Sequence, residues 1–165
     1  MALKDTLLPE FDHEMAVTRR LLERVPFADA GWKPHPKSMS LGELASHLAD
    51  IPGWTSVLLR SSGFDMDGAG GGGPKQQPTH EALLAAFDAN VRSARDLIAD
   101  TSDAQFMEPW TLRGGGQEIF TQPKVGVLRG WLFSHSIHHR GQLSVYLRLR
   151  DVPVPGIYGP SADER

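Results

Sequence analysis

The stretch His135-Ser136-Ile137-His138-His139-Arg140-Gly141-Gln142-Leu143 lies inside a longer run, 123–149, whose apolar residues recur at spacings of three and four. Leu128, Leu132, Leu143 and Tyr146 share one angular sector, which predicts an amphipathic helix. At about 100° per residue, His139 lies about 40° around the helix from His135, and both fall in that sector. Two imidazoles four residues apart on one helical face can grip one metal ion between them. His138 sits about 80–100° from the centre of the sector, so an exposed ring is expected. Ser136, Ile137 and Arg140 point elsewhere.

Three earlier segments carry the same period. Leu7, Phe11, Met15, Thr18, Leu22 and Val25 form one stripe, closed by Pro26. Ser40-Leu41-Gly42-Glu43 reads as a capping box opening a helix that runs to about Arg60. Leu44, Leu48, Ile51, Trp54 and Leu58 face inward along it, and Pro52-Gly53 should kink it. Thr79 is the expected N-cap of a third helix, striped by Leu84, Phe87, Val91, Ala94 and Ile98. Four amphipathic helices with few strand signals predict an all-α chain, a four-helix bundle in a single domain over 1–165.

The connections between the helices also carry information. The stretch 65–78 contains Gly70-Gly71-Gly72-Gly73 and reads as a mobile linker without a phosphate-binding pattern. Residues 101–121, with Trp110, Gly114-Gly115-Gly116 and Phe120, fit either an irregular crossover or a short hairpin over one end of the bundle. The tail 152–160 holds Pro153, Pro155 and Pro160 and should pack back along the bundle in extended form.

Composition narrows the function classes. At 165 residues and 40% hydrophobic content, the chain can bury a core without staples. A net charge of −3 leaves no electrostatic footprint for nucleic acid. Cysteine is absent, so disulfides, thiolate ligands and a cysteine nucleophile are excluded, and any thiol must arrive with a substrate. The opening Met1-Ala2-Leu3-Lys4-Asp5 does not read as a signal peptide, and no stretch approaches the roughly 18 apolar residues of a membrane span. A soluble cytoplasmic protein with no membrane partner is expected.

A third histidine, His47, shares its face with Leu44, Ile51, Trp54 and Leu58. Alone it would read as a hydrogen-bonded core residue. Three inward imidazoles in one bundle each need a polar partner, and a shared metal satisfies all of them at once. His13, His35 and His80 belong to no inward stripe. The candidate ligands are therefore His47, His135 and His139, which suit zinc, nickel, iron or manganese with positions left for water or substrate. Gln142, one turn beyond His139, either hydrogen-bonds a ring or ligand, or is an ordinary polar residue near the surface. Glu43 and Asp50 flank His47 at helical spacing, although capping already accounts for Glu43. Trp54 and Tyr146 either line a pocket beside the histidines or serve as core. His-Glu-x-x-His is absent, which argues against a peptidase.

Trp32-Lys33-Pro34-His35-Pro36-Lys37-Ser38-Met39-Ser40-Leu41-Gly42-Glu43-Leu44 running into His47, the run from His135 to Leu143, and the ending from Pro153 to Glu164 follow one another in an order that resembles the DinB-like/YfiT-like family of bacterial helical-bundle metalloproteins. The likeness spans nearly the whole chain. It implies a four-helix bundle with a long crossover connection, often a homodimer, with metal on His47, His135 and His139. It implies a metal-dependent enzyme, either an S-transferase or isomerase using a low-molecular-weight thiol cosubstrate such as bacillithiol, mycothiol or glutathione, or a hydrolase. The alternatives are a non-catalytic metal- or ligand-binding stress-response protein, and a bundle whose histidines serve structure alone. Nothing in the sequence supports binding DNA.

Overall fold

The computed structural model describes residues 1–67 and 75–164. The run Gly70-Gly71-Gly72-Gly73, read above as a linker, lies outside them. The described chain is mostly helical: α1 (Leu3–Leu22), α2 (Leu41–Asp50), α3 (Thr55–Arg60), α4 (His80–Asp100), α5 (Asp103–Phe106), α6 (Lys124–Leu128) and α7 (His135–Leu149). The all-α expectation needs a correction. A three-stranded sheet of β1 (Gly63–Asp65), β2 (Pro109–Gly114) and β3 (Gln117–Pro123) lies in the order β1-β2-β3.

Local chemistry sets the helix starts. Ser40 Oγ accepts from the Glu43 amide while Glu43 Oε2 accepts from the Ser40 amide, so both orphan donors at the start of α2 are satisfied. Thr79 caps α4 by accepting from the Ala82 amide. The α1 stripe is buried as its spacing predicts, from Leu7 and Phe11 through Leu22 and Val25. It packs on α4 and α7, and α2 packs on the same two helices, which closes the apolar core between them.

The expected kink at Pro52 is a full change of helix type. The chain tightens to a 3-10 turn over Ile51–Trp54 before α3 resumes. Pro52 has no N–H to continue the helical ladder, and near this break the Ala49 carbonyl accepts from Asn90 Nδ2 at 3.0 Å. The fourth helical run is interrupted as well. Between α6 and α7, Arg129–Ser134 form a wider π turn, which the spacing of apolar residues did not reveal.

The crossover between α4 and α6 contains the hairpin. Gly115 and Gly116 occupy its two turn positions at φ of 60° and 75°, backbone that suits the twist of paired strands and that glycine adopts freely. Trp110 and Leu112 of β2 point into the core. β1 runs parallel to β2, with Gly63 opposite Thr111. A Cβ on Gly63 would stand 2.3 Å from the Thr111 carbonyl oxygen, so only glycine permits this pairing. The contact fixes Phe64 and Met66 beside the end of the helices where the histidines lie.

The proline-rich tail forms no regular element and folds back on the helices, as expected. Val154 and Gly156 donate their amides to Asp163 and Glu164, and Arg20 reaches the Gly156 carbonyl.

Candidate metal centre

α2 and α7 pack against each other and bring His47 to His135 and His139. His135 Nε2 lies 2.8 Å from His139 Nε2 and 3.2 Å from His47 Nε2. One ligating nitrogen from each ring falls within 4.8 Å of the others. His139 is buried, and the other two are half-buried at the mouth of a pocket. Of the remaining histidines, only His138 touches this cluster, its ring edge-on to His139 with centroids 4.9 Å apart. His13, His35 and His138 are exposed, and the His80 ring is within 3.0 Å of the Leu22 carbonyl.

Hydrogen-bond accounting defines the character of the cluster. Gln142 Oε1 lies 2.8 Å from His139 Nδ1, and a carbonyl oxygen can only accept. His139 therefore carries its proton on Nδ1 and turns the lone pair of Nε2 toward the other rings. His135 is tied to the Trp131 backbone. Burial lowers the pKa of all three rings. It pushes His47 down to about 4, with its two imidazole neighbours adding to the effect. His135 is lowered by burial and by His139 and His138, against the Trp131 bond. His139 is lowered by burial, which the Gln142 bond opposes. Three neutral rings thus converge on one point with more lone pairs than protons to share between them.

These residues fit a metal. Bonds of about 2.0–2.1 Å from nitrogen to a first-row ion, at tetrahedral to octahedral angles, place neighbouring nitrogens about 2.9–3.4 Å apart. The 3.2 Å separation lies within that range and the 2.8 Å one just below it. Among the described residues no carboxylate joins the cluster. Glu43 bonds Ser40 and pairs with Lys33, and neither it nor Asp50 orients His47.

The pocket has a volume of about 240 Å³ and runs from His47 and His135 along Ile51, Trp54, Phe64, Met66 and Trp131. Of the two roles open to Trp54, pocket wall or core, the structure shows the first: its ring lines this pocket and is 40% exposed beside the 3-10 turn at Pro52. Tyr146 does not line the pocket. Its ring packs edge-on against Trp32 and its hydroxyl donates to the Met39 carbonyl. Trp131, Phe64 and Met66 were not anticipated. Their roles depend on the π turn and on β1, and neither has a periodic signature in sequence.

Arg140 was expected only to point away from the histidines. It does so as the most deeply buried charge of α7, paired with Glu14 of α1.

Comparison with known proteins now bears on this geometry. A family model described as the DinB superfamily matches residues 10–143. The uncharacterized protein YrdA of Bacillus subtilis is 26% identical over 160 residues, which is 97% of this chain and 90% of that protein. A DinB-like protein from Bacillus cereus superposes with a TM-score of 0.69 at 19% identity, covering 95% of this chain and 98% of the other. The DinB-like protein YjoA of Bacillus subtilis gives 0.67 at 19% identity, covering 97% and 99%. These structural likenesses speak to the fold.

Proposed function

The chain belongs to the DinB superfamily, and from that premise we propose a metal-binding protein whose ion is held by His47, His135 and His139 and serves thiol-dependent S-transfer or hydrolysis. One observation carries this reading: three imidazoles from two helices converge at the mouth of an apolar pocket. A divalent ion there, when bound, supplies Lewis acidity that lowers the proton affinity of a water or thiol beside it. The chain's own residues do the rest. Gln142 holds His139 in one tautomer. Trp54, Phe64 and Trp131 exclude water and position a substrate. With no cysteine in the chain, the sulfur nucleophile of an S-transferase is a cosubstrate.

Thiol requirement separates the two chemistries. In an S-transfer assay with 1-chloro-2,4-dinitrobenzene, sulfur bonds to the ring carbon, chloride leaves and the thiol proton passes to buffer. Turnover that needs both added thiol and metal is the expected result. Turnover of a nitrophenyl ester without thiol would select hydrolysis. A second reading, a non-catalytic metal- or ligand-binding stress-response protein, draws on one feature of the pocket. Apart from His47 and His135, no side chain along its wall can donate or accept a proton. Stoichiometric metal with no turnover in either assay would favour it.

The same proposal takes the four helical limbs as the family's four-helix bundle, residues 101–123 as its long crossover, and 1–165 as one domain. It also takes the protein as a homodimer. Ile137, Val145 and Leu149 are exposed on one i±4 row of α7, with Gly141 open between them. Such a ridge suits packing against another helix. Sedimentation is expected to give a dimer, and a monomer at working concentration would remove this part of the proposal.

A further inference from the structure

The pocket beside the histidines carries information about what it admits. Its wall beyond His47 and His135 is Ile51, Trp54, Phe64, Met66 and Trp131. No lysine, arginine, carboxylate or amide lines it. Beyond the imidazoles and the indole N–H groups of Trp54 and Trp131, an ionic group carried into this space would find no partner and no opposite charge to replace its water, which is strongly unfavourable. An apolar body loses nothing there and gains contact with three aromatic rings.

The rings are also fixed in place. Trp54 meets Phe64 edge-on with centroids 5.4 Å apart and Trp131 at 6.3 Å. Trp131 is backed by the fully buried Trp110 at 5.3 Å. Edge-to-face pairs of this kind hold one another's orientation, so the wall stands ready without rearrangement. The volume of about 240 Å³ exceeds the roughly 150 Å³ that suffices for benzene in a dry apolar cavity. An aromatic ring with a short substituent therefore fits.

A second feature marks the inner end. A small void of about 10 Å³ shares Ile51, Trp54 and Trp131 with the pocket and is bounded beyond them by Thr55, Leu58, Leu128 and Leu132. Thr55 is 2% exposed, and its hydroxyl has no hydrogen-bond partner among the described residues. The cleft thus has polar atoms at its two ends, the imidazoles and one hydroxyl, and an apolar aromatic span between them.

We infer that this pocket binds a neutral, predominantly apolar small molecule of aromatic-ring size, with its reacting head toward the histidines. This rests on the metal-centre reading for the position of the head, and on the pocket wall alone for the chemistry of the body. The pocket accepts an uncharged aromatic or alkyl electrophile or ester. It refuses the charged portion of a peptide-like thiol, which has to approach the histidines from the solvent side.

The test uses protein stripped of metal by chelator, so that its result is independent of the metal. Fluorobenzene, 4-fluorotoluene and 1-ethyl-4-fluorobenzene are titrated by fluorine NMR beside the anion 4-fluorobenzoate. The expected result is saturable binding that tightens about fourfold per added methylene, with 4-fluorobenzoate at least tenfold weaker than 4-fluorotoluene. Trp54→Ala, whose circular dichroism and melting are checked first, weakens the neutral series at least tenfold. Met66→Lys, at an exposed position on the wall, tightens 4-fluorobenzoate relative to wild type and narrows its gap to 4-fluorotoluene. No binding of the neutral series up to its solubility, equal binding of the anion, or neutral binding indifferent to folded Trp54→Ala would each overturn the inference. Elemental analysis of unstripped protein decides the metal reading separately, so the failure of one is never mistaken for the failure of the other.

Discussion

Replacing any one of His47, His135 and His139 by alanine weakens metal binding more than about 100-fold. The lower bound comes from outer groups: removing a residue that only orients a ligand costs about 10–100-fold in affinity. Removing the ligand itself, from a set of three, costs more. The expected readout is thermal or urea stability with and without metal. At a free metal concentration of 100 Kd, the wild type gains about 2.7 kcal/mol through linkage. A variant with 100-fold weaker affinity gains only about 0.4 kcal/mol at the same concentration.

The metal-free variants are not expected to fall apart. Each truncation removes an imidazole that points a lone pair at its neighbours, so the loss of contact is offset by relief of that crowding. Gln142→Ala should fall between wild type and the ligand variants, about 10–100-fold weaker. Gln142→Glu should keep most of the affinity, because a carboxylate also accepts from His139 Nδ1. Elemental analysis of untagged protein purified without chelator gives the direct check. Protein that is empty, that refuses added zinc, nickel, iron and manganese, and whose stability ignores chelator would sink the metal centre.

Helical phase carried much of this in the sequence. Leu7 to Val25 on α1 and the three histidines on α2 and α7 each declare a face through spacing alone, and a face is what packing reads. Phase fails where the helix changes type. Trp54 keeps the phase of His47 and lines the pocket beside it, but that phase also faces inward, whereas next to the 3-10 turn at Pro52 the residue is 40% exposed. Trp131 is hidden for a related reason, since a π turn follows no three-four pattern. β1 is three residues long, too short for alternation to mark it, and it exists because Gly63 lets one backbone approach another. Arg140 illustrates a different limit. Its phase says only that it leaves the histidine face, whereas its partner Glu14 lies 126 residues earlier in the chain.

That pair is the second place where one substitution should have a large effect. Arg140 is 1% exposed and Glu14 is 6% exposed. Arg140 Nη2 donates to Glu14 Oε2 at 2.5 Å, and Nη1 donates to the Glu14 carbonyl at 3.0 Å and to Thr18 Oγ1 at 3.2 Å. Tyr158 from the tail donates its hydroxyl to the same carboxylate at 2.9 Å and accepts from Arg140. Arg140→Met keeps much of the volume but leaves the Glu14 carboxylate buried with only the tyrosine for a partner. Stranding a buried charge in this way costs about 3–5 kcal/mol, or about 6–20 °C in melting temperature for a chain of this size.

The matching double variant, Arg140→Met with Glu14→Leu, should recover most of that loss, because well-packed apolar residues often replace a buried pair at little cost. Tyr158→Phe should lose only about 1 kcal/mol, the usual worth of a hydrogen bond whose partner keeps a stronger one. Urea midpoints at unchanged slope would measure all three. If Arg140→Met fell within about 1 kcal/mol of wild type, the pair would not be a buried charge network at all. If the double variant stayed as unstable as the single one, the guanidinium's bonds to the Glu14 carbonyl and Thr18 would account for the stability, and α1 would be held to α7 through its backbone rather than its carboxylate.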